Sequence, residues 1–161
     1  VLPGLMMWAV LYSAPGGQIW AGGPAWLSLV ALLIPLFSAY RLAKFNLDTR
    51  PTDKFYGLPT PANALFFLSL FLLCFEKTMP PLFPESTLQV VLAGLCLAFS
   101  LLLVSDLPLL NFKFTGFSLR PNLARYLLIG ISLILLLWLW YRAVPVIMAI
   151  YFILSWIDHR F

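Results

Sequence analysis

The stretch STLQVVLAGLCLAFSLLLVS, Ser86–Ser105, carries no charged residue and is bracketed by Glu85 and Asp106. A bilayer core about 30 Å thick is crossed by about 20 helical residues, so the stretch has the length and the polarity of a membrane span. Lipid offers no hydrogen-bond partner to an exposed amide, and a span of this kind closes its backbone bonds within a helix. Working outward, apolar runs of similar character occupy Val1–Ser13, Ala25–Asn46, Thr60–Glu76, Leu123–Tyr141 and Val144–Ile157, with charge only at Arg41, Lys44, Glu76 and Arg125, near their ends. The expected fold is therefore all-α: a polytopic transmembrane helical bundle of five to six membrane helices, forming a single membrane domain over residues 1–161. The last run is short and follows Tyr141-Arg142-Ala143 so closely that it reads as a tight hairpin partner or a partial insertion. The alternative is one long helix interrupted at Arg142.

Composition supports lipid as the solvent. Of the 161 residues 62% are hydrophobic and only 10% are charged, far from the balance of a water-soluble domain. The net charge of +4 resides in short clusters at the ends of the apolar runs and between them. No basic face is available to follow a phosphate backbone, which argues against nucleic acid as a partner. Cys74 and Cys96 lie inside apolar runs, where a lone thiol behaves as a small hydrophobe. The chain starts at Val1 and carries no charge as far as Tyr40, unlike the basic start of a signal peptide, and is expected to begin inside a larger protein.

Turn chemistry separates the runs. Ala14-Pro15-Gly16-Gly17 and Gly22-Gly23-Pro24 mark one connection, and Met79-Pro80-Pro81 with Pro84 marks another. Pro35 is expected to kink the second span. Pro59-Thr60-Pro61 is a favourable helix start, because proline has no amide hydrogen to leave unpaired. Alternate threading with the end of the second span in the cytoplasm puts Arg41, Lys44, Arg50, Lys54, Lys113, Arg120, Arg125 and Arg160 on that side. Lys77 and Arg142 fall on the other, so eight of the ten basic residues obey the positive-inside rule. The six tryptophans lie mostly near span ends, where indole prefers the headgroup layer.

Chemistry must come from polar groups that a membrane protein otherwise avoids. The densest cluster is Tyr40-Arg41-Leu42-Ala43-Lys44-Phe45-Asn46, followed by Asp48, Arg50, Asp53, Lys54 and the run Phe55-Tyr56-Gly57-Leu58-Pro59-Thr60-Pro61. Arg41 and Lys44 share a helical face, and together they offer a planar fork of donors and a compact charge to phosphate oxygens. Snorkelling anchors would have the same spacing. Gly57, Pro59 and Thr60 stiffen the approach to a helix start, whose unpaired amides attract anions. The candidate substrate-binding residues are thus Arg41, Lys44, Asn46, Gly57, Pro59 and Thr60. His159, between Asp158 and Arg160, reads as a solvated tail residue.

The pairing of Arg41-Leu42-Ala43-Lys44-Phe45-Asn46 with Phe55-Tyr56-Gly57-Leu58-Pro59-Thr60-Pro61 resembles the phosphatidylserine synthase branch of the CDP-alcohol phosphatidyltransferases. Val104-Ser105-Asp106-Leu107-Pro108-Leu109-Leu110-Asn111-Phe112-Lys113 is similar to a later segment of that branch. The resemblance covers about Tyr40 to Lys113. It implies transfer of a phosphatidyl group from CDP-diacylglycerol to L-serine with release of CMP, in a bacterial inner membrane with Arg41 to Lys54 cytoplasmic. It also implies a homodimer and a divalent metal, Mg or Mn. The family's Asp-Gly, Ala-Arg, Gly, Asp, Asp pattern, whose carboxylates hold the metal and supply the base, does not occur here: there is no Asp-Gly pair, and Asp48 and Asp53 are five apart. No catalytic or metal-ligating residue is therefore assigned, and the chain is expected to be the C-terminal part of a longer enzyme, inactive alone. Glycerol phosphate or inositol phosphate as the acceptor, or a transporter or structural subunit with the same hydropathy, are the rival readings.

Overall fold

The computed structural model describes residues 1–12, 25–47, 57–75, 85–107, 109 and 119–160. These residues form helices joined by turns, with no strand among them. The helices are α1 (Leu2–Tyr12), α2 (Leu33–Leu47), preceded by a 3-10 segment at Ala25–Leu32, α3 (Thr60–Phe75), α4 (Glu85–Val104), α5 (Leu119–Leu139) and α6 (Ala143–Arg160). Three stretches are long and apolar enough to cross a membrane: Trp26–Asn46, Thr87–Val104 and Asn122–Ile157, the last comprising α5, its turn and α6. Leu2–Tyr12 and Thr60–Phe75 are apolar but shorter. The glycine and proline connections expected at 14–17, 22–24 and 79–84 lie outside the described residues, as do Lys77, Lys113 and the loop from Asp48 to Tyr56.

The chain divides into two compact units, Val1–Thr49 with Leu58–Ser105, and Arg50–Gly57 with Asp106–Phe161. In the first, α1 packs against the 3-10 segment and α3, and α2 lies along α4. Two long-range hydrogen bonds fix the directions. The buried Gln89 side chain, near the start of α4, donates from Nε2 to Leu11 O at the end of α1 (3.0 Å). The Leu58 amide, just before α3, donates to Leu102 O near the end of α4 (3.1 Å). Both α1 and α3 therefore run opposite to α4, as alternate crossing of a membrane requires.

The core of this unit is aromatic and aliphatic. Phe66 and Phe99 stack with centroids 4.1 Å apart, and Phe67 meets Phe99 edge-on at 5.7 Å. Met7, Leu11, Ala31, Leu58, Phe67, Cys96 and Leu103 are almost wholly buried. Many outward residues are large and apolar, including Leu29, Leu36, Val90, Leu97 and Leu101. A surface this apolar suits lipid rather than water.

Proline explains the change of helix type in the second span. Pro35 has no amide hydrogen to donate to Ala31 O, and its ring crowds that carbonyl. The span accordingly winds as a 3-10 helix to Leu32 and becomes α-helical from Leu33. Gly4 of α1 packs into this irregularity. A Cβ there would overlap Pro35 Cδ and stand 3.1 Å from Ala31 O. Glycine is the residue that permits so close a backbone approach.

In the second unit α5 and α6 pack against each other across the three-residue turn Trp140–Arg142. The arrangement is the tight hairpin rather than the single interrupted helix. Trp140 takes a left-handed backbone conformation, φ 53°, that lets the chain reverse without a glycine. Trp138, Trp140 and Trp156 are exposed, close to the ends of their helices.

Replacing Gly4 by Ala should lower stability by about 1–3 kcal/mol, because the methyl group has nowhere to go without moving backbone. Gly94→Ala, at a site with no neighbour within 4 Å, should be neutral or stabilising by up to about 1 kcal/mol. Equilibrium unfolding of the two variants in mixed micelles checks the contrast. Equal effects would mean that α1 does not seat on Pro35.

Candidate functional site

The last turn of α4 gathers the candidate residues of the first unit. A helix leaves its final carbonyls without intrahelical partners, and its C-terminus carries a partial negative charge. Here Leu101 O accepts from the Ser105 amide (3.0 Å), and Leu102 O accepts both the Leu58 amide and the Ser105 hydroxyl (2.9 Å). Leu103 O accepts Arg41 Nη1 at 3.4 Å. A cation from α2 and an amide from the turn before α3 thus end on adjacent carbonyls of a third helix.

Arg41 is half-buried, with its guanidinium against the negative end of α4. The planar fork held by Leu103 O has the shape that matches carboxylate and phosphate oxygens. Lys44, three residues on, is also half-buried, while Asn46 is exposed near the end of α2. Pro59 O accepts the Asn63 amide (3.0 Å), the first bond of α3, so Pro59 stands at the helix boundary and Thr60 opens the first turn, exposed. The structure therefore brings Arg41, Lys44, Pro59 and Thr60 to one end of this unit. Asp48, Arg50, Asp53, Lys54, Phe55 and Tyr56 lie outside the described residues.

Gly57 belongs to the second unit. It is buried, has φ 75°, and its amide donates to Leu107 O at 2.9 Å. The residue free to adopt unusual dihedrals does adopt one. In the same unit Asn122 is fully buried and accepts Arg125 Nη1 at 3.2 Å within the first turns of α5. This pair stiffens the first turns of α5.

Two polar residues on α3 and α4 escaped the reading of the sequence. Asn63 is 2% exposed and Ser100 is 0% exposed, and neither Asn63 Oδ1 nor Ser100 Oγ has a hydrogen-bond partner. A sealed, unpaired polar atom costs about 1–3 kcal/mol. Ser69, by contrast, satisfies its hydroxyl on Phe66 O at 2.7 Å. The available signal was a single amide in the apolar run of α3 and a single hydroxyl midway along the uncharged stretch of α4.

Among the described residues no group of three or more His, Cys, Asp or Glu side chains could hold a metal ion. The described residues therefore do not by themselves fit the divalent metal that the resemblance implies.

No family model matches the chain. Two curated proteins do. Both are CDP-diacylglycerol-serine O-phosphatidyltransferases of Helicobacter pylori, from two strains, and they are 32% and 31% identical to the chain over 126 residues. The alignments take in 77% of the chain and 50% of each relative, so the chain spans about half the length of the curated relatives it matches. No solved structure matches.

Gly57→Ala should destabilise the protein by about 1–2 kcal/mol, since a Cβ at φ 75° meets the following carbonyl. Gly57→Asn should cost less, because asparagine tolerates the left-handed region better. Unfolding midpoints of the two variants, compared in the same detergent, give the order. Alanine tolerated as well as asparagine would mean that the turn does not hold this conformation.

Proposed function

We propose that the chain is part of a membrane transferase that moves a phosphatidyl group from CDP-diacylglycerol to L-serine, giving phosphatidylserine and CMP. The observation that carries the reading is the meeting of Arg41 and the Leu58-Pro59-Thr60 turn on adjacent carbonyls of α4, in a chain similar to two proteins of that name. The convergence sets a cation-bearing helix end beside a helix start. Helix starts and guanidinium groups are both receivers of phosphate oxygens.

In this reading Arg41, oriented by Leu103 O, faces the diphosphate of the CDP-lipid with its guanidinium. Lys44 adds a point charge on the same helical face, and the first amides of α3, opened by Thr60, contribute dipoles. Asn46 completes the set proposed for substrate binding in this unit. The serine hydroxyl attacks the β-phosphorus, the bond to the bridging oxygen breaks, and CMP leaves with the bond electrons while the hydroxyl proton passes to a base. Fixed donors at the diphosphate favour this step because negative charge grows on the leaving group. The base and the divalent metal are proposed to come from residues outside those described, and the acting form is proposed to be a homodimer in a bacterial inner membrane with Arg41 on the cytoplasmic side.

In the intact parent enzyme, Arg41→Ala should reduce serine-dependent CMP release at least tenfold at equal amounts of inserted protein. This corresponds to losing a charged hydrogen bond of about 1.5–3 kcal/mol. Arg41 also caps α4, so the unfolding midpoint is measured beside turnover. A lowered midpoint with unchanged turnover would leave Arg41 as an anchor alone. Release of CMP driven by glycerol phosphate or inositol phosphate instead of serine would move the acceptor assignment.

A further inference from the structure

Leu102 O, in the last turn of α4, carries two donors at once: the Leu58 amide at 3.1 Å and the Ser105 hydroxyl at 2.9 Å. We propose that Ser105 is a positioning residue for the CDP-lipid diphosphate, its hydroxyl filling Leu102 O so that the Arg41 guanidinium is directed to Leu103 O. The assignment rests on the transferase reading above and adds the residue that sets where the cation stands relative to the start of α3.

Acceptor capacity gives the reason. A backbone carbonyl has two lone pairs, and a helix end leaves its last four carbonyls open to donors from elsewhere. At the end of α4, Leu101 O receives the Ser105 amide at 3.0 Å, and both positions on Leu102 O are filled. The next carbonyl along the chain, Leu103 O, is the one that Arg41 Nη1 meets, at 3.4 Å. That bond is the longest of the four, so the shorter ones beside it govern what the guanidinium can take. Without the Ser105 hydroxyl, Leu102 O has a vacant lone pair one residue earlier. Successive residues of a helix are turned by about 100°, so a guanidinium that moves to Leu102 O swings round α4 towards the Leu58 amide. Its direction relative to the first turn of α3 then changes.

Stability alone gives little reason for a hydroxyl here. The Leu58 amide already satisfies Leu102 O, and the burial penalty falls on a carbonyl with no partner, not on one with a single partner. Alanine is also the better helix former. What the second donor adds is separation: with both lone pairs of Leu102 O taken, the entry to α3 and the cation of α2 land on different carbonyls. Ser105 is half-buried, as Arg41 is, and all four bonds lie within the first unit.

The intact parent enzyme in mixed micelles tests the role through its two substrates separately. Ser105→Ala should raise KM for CDP-diacylglycerol about threefold or more, the effect of one hydrogen bond, and leave KM for serine within about twofold. Ser105→Thr, which keeps the hydroxyl, should bring the first constant back towards that of the parent. Ser105→Cys, a weak donor of similar size, should fall between, and it keeps the test decisive if the alanine variant does not fold. In an Arg41→Ala background Ser105→Ala should have no further effect on KM for CDP-diacylglycerol, because the guanidinium that it directs is gone. Effects that multiply with Arg41→Ala, that fall on both substrates alike, or that threonine does not reverse belong to a structural serine and overturn the assignment. An unchanged KM for CDP-diacylglycerol in the alanine and cysteine variants overturns it as well. A parent with no serine-dependent CMP release removes the transferase reading itself, whereas turnover with multiplying effects removes only the role of Ser105.

Discussion

The end of α4 is where the demands of a membrane solvent are most concentrated. In water the last carbonyls of a helix are hydrated at little cost, whereas in an apolar surrounding each needs a protein donor. Leu102 O and Leu103 O find theirs in the Leu58 amide and the Arg41 guanidinium, which come from two segments far apart in sequence. One local need thus joins α2, α4 and the entry to α3. At the opposite end of α4 the same need recurs with the roles reversed: Gln89 of α4 supplies the donor and the end of α1 the acceptor.

A cation used in this way serves two purposes. Against Leu103 O the guanidinium completes a helix end, and its charge complements the negative pole of that helix. The same bond fixes the plane of the fork, so the guanidinium is positioned rather than flexible. The bond to Leu103 O is compatible with both the anchor role and the proposed ligand role of Arg41. What separates them is whether loss of the side chain changes binding beyond its effect on folding. The similarity to serine phosphatidyltransferases spans about half of each relative.

Close packing in the rest of the first unit follows from two small departures from regular helix. Pro35 prevents one backbone bond, the span before it tightens to a 3-10 helix, and Gly4 lets α1 approach the carbonyl of Ala31. The aromatic stack of Phe66 on Phe99 fills the other side, where α3 meets α4. Between these well-satisfied regions, the unpaired oxygens of Asn63 and Ser100 are exceptions. Exceptions of this kind concentrate where a protein does something other than fold.

Hydropathy alone determined the helices. The expected runs at Ala25–Asn46, Thr60–Glu76 and Ser86–Ser105 each fall within two residues of the observed bounds, because a span's length is set by the bilayer and its ends by charges and prolines, all of which are local. The close spacing of Leu123–Tyr141 and Val144–Ile157 left hairpin and long helix both open, and only packing of α6 back on α5 decided between them. Residue type and spacing likewise marked Arg41, Lys44 and the Gly57–Thr60 turn. The backbone carbonyls that receive Arg41 and Leu58 were invisible, since every residue carries one and nothing in a side-chain pattern says which will be left over. Asn63 and Ser100 looked like ordinary polar interruptions for a similar reason. Whether a buried amide or hydroxyl is paired depends on what the neighbouring helix brings opposite it, and that is a property of the tertiary structure alone.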